Sequence, residues 1–296
     1  MLDDLRSTFE QIIGEVRPKL HRYCARMTGS AVDGEDIVQD ALMKALAALP
    51  DVGLVRNPEG WLFRIAHNTA LDFLRQRARG PALLDDEALD MIAAPSASNC
   101  DHEIAATSLR TFMRLPALQR SAVILKDVLG HSLEEIASIT GASEAAAKSA
   151  LQRARVRLRQ IANEPADASL PVLSDLMRAR LTTYVEGFIA GDFDTVRAML
   201  ADDVKLDLVA KLHKQGKSDV AGYYAAYAAA TRWAYGAAVA DGRPAMVVYD
   251  RNVSLETPAY FVSLGFDGER IVSLHDFLYA RYAIESVDLL LLSQHI

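Results

Sequence analysis

The stretch from Ser132 to Gln160 reads SLEEIASITGASEAAAKSALQRARVRLRQ, and its reading decides the fold of this part of the chain. Ser132 followed three residues later by Glu135 predicts a capping box, the start of a short helix carrying Leu133, Ile136 and Ala137. Thr140-Gly141-Ala142 predicts a tight turn, because glycine enters backbone conformations closed to other residues. Ser143 is placed to cap a second helix. On that helix Ala147, Ala150, Leu151, Ala154 and Leu158 fall on one side. Lys148, Gln152, Arg155 and Arg159 fall opposite, flanked by Ser149 and Arg153. Between Lys148 and Arg159 there are five basic residues and no acidic one. Basic residues often decorate an ordinary solvent face. Here the cap, the glycine turn and the segregated charge together predict a helix-turn-helix whose second helix enters a major groove.

Helical spacing extends on both sides of this motif. A helical block covers about 105–162, and an earlier one covers Leu5 to Arg79 with breaks at Gly-Ser and Pro-Asp. Within the earlier block, Asp33 to Leu49 predicts an amphipathic helix burying Ile37, Val38, Ala41, Leu42, Ala45 and Leu46. Pro50 is expected to end it, and Pro58 to open the next helix, Glu59 to about Arg77. Between the blocks, residues 80–104 hold Asp85, Asp86, Glu87, Asp90, Asp101 and Glu103 without a Lys or Arg, which predicts an acidic linker. A second connector, 163–174, contains Pro165 and Pro171.

After residue 174 the pattern changes. Two helices, about 176–190 and 193–200, lead into strand-like runs at 204–209, 245–249, 260–266 and 271–279. Helices followed by strands predict an α+β domain. The expected division is therefore 1–79, linker 80–104, 105–162, linker 163–174 and 175–296.

The chain of 296 residues carries 32 Lys+Arg against 39 Asp+Glu, a net charge of −7, which excludes a uniformly basic nucleic-acid coat. The average hides its parts: 20 of the basic and 21 of the acidic residues lie in 1–163, leaving 12 and 18 in 164–296. Cys24 and Cys100 match no paired-ligand spacing, which points away from a disulfide framework and toward a cytoplasmic setting. The N-terminus has no apolar signal core, and Leu289–Leu292 is far shorter than the roughly 20 residues that span a bilayer. No metal spacing, nucleotide loop or nucleophile motif is present, so no cofactor, metal or enzymatic activity is expected.

Taken together, Asp33-Gly-Glu-Asp-Ile-Val-Gln-Asp40, Trp61-Leu-Phe-Arg-Ile-Ala-His-Asn-Thr-Ala-Leu-Asp-Phe-Leu74, Leu115-Pro-Ala-Leu-Gln119, Glu134-Glu-Ile-Ala137 and Lys148-Ser-Ala-Leu-Gln-Arg-Ala-Arg155 resemble a bacterial RNA polymerase sigma factor of the extracytoplasmic-function (ECF) class. The resemblance covers about Leu5–Ile161. It implies two all-α sigma-factor domains, the second a helix-turn-helix, with core RNA polymerase and promoter DNA as partners. It implies polymerase contacts at Asp36, Gln39 and Asp40, and promoter-melting contacts at Arg64, Asn68, Arg75 and Arg77 on the helix of Trp61. Trp61 itself reads as a core anchor, in step with Leu62 and Ile65. Distal-promoter contacts fall on Lys148, Ser149, Gln152 and Arg153, with Arg155 on the basic face. In this class the acidic linker occupies the RNA exit channel.

The last segment resembles a SnoaL-like domain, a cone of helices on a curved antiparallel sheet, through Tyr184-Val-Glu-Gly-Phe188, Gly191-Asp-Phe-Asp194, Leu200-Ala-Asp-Asp-Val204 and Asp276-Phe-Leu-Tyr-Ala-Arg-Tyr282. That resemblance implies a pocket, with candidates Asp207, His213, Tyr227, Trp233, His275 and Asp276. His275 and Asp276 adjoin on a strand and so face opposite ways. The expected role is regulation through intramolecular contact with the sigma domains. A stand-alone helix-turn-helix regulator and a fused SnoaL-like enzyme are the alternatives.

Overall fold

The computed structural model describes residues 2–53, 55–79, 108–164 and 173–295. The chain divides into two compact units, Met1–Ala166 and Asp167–Ile296. The acidic linker 80–104 and the middle of the second connector lie outside the described residues.

In the first unit, α1 spans Leu2–Thr28, α2 Ala31–Val52 and α3 Pro58–Arg79. Gly29, at φ +76°, turns the chain after α1, and the Ser30 hydroxyl caps α2 by accepting from the Asp33 amide at 3.2 Å. The crossing of α1 and α2 depends on Gly34. A Cβ there would lie 2.5 Å from the Ala25 backbone nitrogen, so a side chain would force the helices apart. Contrary to the sequence expectation, α2 runs through Pro50 to Val52, where the Gly53 amide bonds the Leu49 carbonyl at 3.0 Å. In the last turn proline removes one hydrogen bond without the long reach of helix that an interior break would disturb. Asn57 caps α3, its Oδ1 accepting from the Gly60 amide at 2.9 Å.

The helices α4 (Leu109–Met113), α5 (Ala117–Val123), α6 (Leu133–Thr140) and α7 (Glu144–Ala162) follow, with a π-helical turn over Ile124–Val128 between α5 and α6. The predicted capping box is present: Glu135 donates its amide to the Ser132 hydroxyl at 3.1 Å, and its carboxylate accepts from the Ser132 amide at 2.7 Å. Gly141 adopts φ +73°, and Ser143 accepts from the Ala146 amide at 3.2 Å. The two helical blocks are not separate bodies. Tyr23, Phe63 and Ala66 share one hydrophobic core with Phe112, Ile124, Ile136, Ala147 and Leu151.

The second unit contains α8 (Asp175–Ala190), α9 (Phe193–Ala198), β1 (Leu200–Leu208), β2 (Leu212–Gln215), α10 (Lys217–Ala228), β3 (Trp233–Ala240), β4 (Arg243–Asp250), β5 (Tyr260–Asp267), β6 (Arg270–Asp276), a 3-10 turn (Arg281–Glu285) and β7 (Leu289–His295). Its sheet order is β2-β1-β6-β5-β4-β3-β7. The sheet is mixed rather than wholly antiparallel, because β1 pairs with β6 in parallel. The intervening α10 and β3–β5 supply the long crossover that a parallel pair requires. Helices α8 and α10 pack on it, α8 against β3 and β4, α10 against β1 and β2. Phe188 of α8 centres an aromatic cluster with Tyr184, Phe193, Tyr224, Tyr227 and Tyr235.

Candidate nucleic-acid interface

Helix α7 buries Ala147, Ala150, Leu151, Ala154 and Leu158 and turns Lys148, Ser149 and Gln152 outward. Its first turns therefore present one cation, one hydroxyl and one amide, a mixture that contacts phosphates and base edges. Arg153 is half-buried at the edge of that surface.

Arg155 is different. Its guanidinium forks onto the Asp127 carboxylate, with Nε donating to Oδ2 at 2.8 Å and a second terminal nitrogen bonding Oδ1. Asp127 is almost fully enclosed, and the π-helical turn holds it there. The fork serves an internal ion pair, and leaving Asp127 charged and alone would be costly. Helical phase put Arg155 on the basic face, whereas its partner stands 28 residues upstream.

On α3, Arg64, Asn68, Arg75 and Arg77 are exposed. Arg64, Asn68 and Arg75 follow a single helical stripe that also includes Asp72. Arg75 donates to Asp72 at 3.0 Å and Arg77 to Asp33 at 3.4 Å. The exposed Arg75–Asp72 pair contributes at most about 1 kcal/mol and yields readily to a phosphate, whereas the Asp33 carboxylate that Arg77 meets is buried. Trp61 is half-buried and packs against the shared core. A buried polar seam joining α1, α3 and α5 is signalled by no local pattern in the sequence. The Tyr23 hydroxyl lies 2.7 Å from His67 Nδ1 and donates to Ser121 Oγ at 3.3 Å. Burial pushes His67 down to about 4, so the ring is neutral there.

The acidic helix α2 splits by phase. Ile37 and Val38 are in the core, Glu35 is buried and receives Arg17 Nε at 3.0 Å, and Asp36 and Asp40 point outward with Gln39 half-buried. Glu35 thus has a fold-stabilising partner, while Asp36 and Asp40 form an exposed acidic pair one turn apart.

In the second unit the named pocket residues separate into two groups. Tyr227 donates to Asp276 at 2.7 Å, Tyr223 donates to it at 2.8 Å, and the Tyr227 and Tyr260 hydroxyls are 2.8 Å apart. Burial raises the Asp276 carboxyl above its ordinary range. Trp233 meets Tyr260 edge-on, ring centroids 5.5 Å apart, and Arg232 lies over its face at 4.0 Å. Asp207 and His275 are register partners on β1 and β6, one position out of phase with Asp276. The alternation of a strand turns them to the opposite face. Tyr223 and Tyr260 were missed because nothing local in the sequence links α10 to β5 and β6.

Two family models match the chain: Sigma-70 region 2 over residues 12–80, and Sigma-70, region 4 over residues 109–158. The chain is 31% identical to the ECF RNA polymerase sigma factor SigM of Mycobacterium tuberculosis over 157 residues, 53% of this chain and 78% of SigM. It is 30% identical to SigG of the same organism over 217 residues, 65% of this chain, and spans only 59% of SigG's own length. A solved structure of M. tuberculosis extracytoplasmic function sigma factor SigJ matches 90% of this chain and 95% of its own, at 21% identity and a TM-score of 0.37.

Proposed function

The chain belongs to the ECF RNA polymerase sigma factors, and from that membership we propose that it binds core RNA polymerase and directs transcription initiation at specific promoters. Asp36, Gln39 and Asp40 meet the polymerase. Arg64, Asn68, Arg75 and Arg77 hold the proximal promoter element. Lys148, Ser149, Gln152 and Arg153 read the distal one. The observation that carries the reading is the outward face of α7, where Lys148, Ser149 and Gln152 project from a helix whose opposite side is core. The stripe on α3 adds a second phosphate-seeking surface to the same unit. Among the described residues no helix is long and apolar enough to cross a membrane.

The second unit, read as a SnoaL-like module, modulates this activity in cis. Its share of the net charge, 12 basic against 18 acidic residues in 164–296, supports a surface that competes with DNA for basic faces. A second reading makes the unit an isomerase or hydrolase, and Asp276 in its tyrosine cluster is the group that favours it.

The test is co-purification with core polymerase followed by run-off transcription on genomic DNA. Discrete new transcripts dependent on the protein are expected. DNA footprints that form without polymerase, and no gain in transcription, would indicate a stand-alone regulator. Deleting residues 163–296 should change promoter affinity or polymerase engagement; unchanged values for both would reject regulation in cis.

A further inference from the structure

The second unit brings together three metal-ligating side chains that no local spacing announces. Asp207 on β1 is the register partner of His213 on β2 and of His275 on β6. Residues paired across adjacent strands project to the same face about 5 Å apart, so the three form a row, His213–Asp207–His275. The Asp207 Oδ1 lies 3.1 Å from His213 Nδ1. A ligating oxygen of Asp207 and a ring nitrogen of His275 lie within 4.8 Å of each other. Ligands at about 2.0–2.2 Å from a divalent ion stand some 3.3–3.6 Å apart in a tetrahedron. His213 and His275 flank Asp207 from the two neighbouring strands, so closing on one ion asks both imidazoles to rotate toward the carboxylate while the sheet holds the three backbones.

We propose that His213, Asp207 and His275 form a binding site for a divalent transition-metal cation of the zinc type. Two imidazoles and one carboxylate match the donor preference of that ion and leave coordination positions for water or a further ligand. Asp207 is mostly enclosed, with 13% of its side chain accessible, whereas His213 is 57% accessible. The carboxylate is thus fixed by the sheet, and the edge histidine closes from solvent. Strand alternation also explains why His275 serves this face while its neighbour Asp276 accepts hydrogen bonds from Tyr223 and Tyr227 on the other. Lys205, two residues before Asp207 on β1, is the nearest cation along the strand on this face and sets a repulsive term that the site must overcome. The site is independent of the transcription role, so failure of either leaves the other standing.

The experiment uses the full chain, stripped with a chelator and titrated with Zn2+ by calorimetry and with Co2+ by visible absorption. One ion per chain is expected, with cobalt d–d bands of a low coordination number. Asp207→Asn and His275→Gln should each weaken binding by at least about tenfold, the smallest loss usual even for groups that only support a ligand. Saturable binding that survives both substitutions, or none in the unsubstituted chain, overturns the proposal and leaves an Asp207–His213 contact joining β1 to the edge strand. Should a variant lose its fold by circular dichroism, the decision passes to the unsubstituted chain. Zn2+ must then protect His213 and His275 from diethyl pyrocarbonate, read by peptide mass spectrometry, and modification of both at the unprotected rate rejects the site.

Discussion

The guanidinium of Arg120 donates to the Met27 carbonyl across 2.6 Å, joining the end of α1 to the helices that precede the helix-turn-helix. The same group donates to Phe112 and Leu115 carbonyls at 2.9 and 2.8 Å. It has traded water for carbonyls at two chain turns, and burial lowers it to about 10, leaving it charged at neutral pH. Replacing it with methionine keeps the apolar stem but orphans several buried acceptors. Arg120→Met should therefore cost about 2–4 kcal/mol of unfolding free energy, read as a lower urea midpoint.

Arg155 and Lys148 stand on the same helix but should fail differently. Arg155→Ala strands the Asp127 carboxylate and should cost about 3–5 kcal/mol in stability. Asp127→Ala should cost less, because the Arg155 side chain is 29% exposed and its guanidinium can turn to water. A double-mutant cycle on urea denaturation measures the coupling, and a coupling near zero would reject the ion pair as a stabilising element.

Helix α7 also marks where the sequence could and could not be read. The helix-turn-helix was legible because Ser132, Glu135, Gly141 and Ser143 act within a few residues of themselves. The Asp127 partner of Arg155 was not legible, because it sits on a π-helical turn, which apolar periodicity does not signal. Pro50 misled for a similar reason, since the cost of a proline depends on how near the helix end it falls. In the second unit, α10 and β3 were not anticipated: Trp233–Ala240 is rich in alanine and glycine, poor strand formers that the sheet overrides by burial. The parallel pairing of β1 with β6, and with it the row of His213, Asp207 and His275, arises only from tertiary pairing.

Acid should weaken the first unit well before carboxylates titrate. Burial lowers both His21 and His67 from 6.5 to about 4. The unfolded chain therefore binds more protons than the native one between those values. Stability is fully present above about pH 6.5 and is lost as pH falls toward 4, by up to about 3 kcal/mol per histidine. The urea midpoint followed from pH 7 to 4.5 checks this, and His67→Gln should flatten the slope. A midpoint independent of pH across that window contradicts neutral burial of these rings.

Asp40 is exposed at the outward side of α2, so a change of sign there should leave folding intact. Asp40→Arg places a cation where the proposed polymerase contact needs an anion. Co-purification with core polymerase should fall sharply while the unfolding free energy stays within about 0.5 kcal/mol of the starting protein. Normal co-purification would remove Asp36, Gln39 and Asp40 from the polymerase-binding surface.

Lys148 and Gln152, one turn apart on the exposed side of α7, separate affinity from sequence reading. An ammonium contacts phosphate as a point charge, and each phosphate neutralised releases counterions from the duplex. Lys148→Ala should weaken binding of the holoenzyme to all promoters about equally and reduce the slope of log affinity against log salt by about 1. Gln152 carries an amide that can pair with two edge groups of one adenine. Gln152→Ala should cost about 1–3 kcal/mol at cognate promoters, relax preference at one base position, and leave the salt slope unchanged. Binding isotherms on a cognate duplex and on single-base variants, each at three salt concentrations, distinguish the two. If both substitutions shift only the salt slope, α7 holds the backbone, and the reading of the distal element lies elsewhere in the unit.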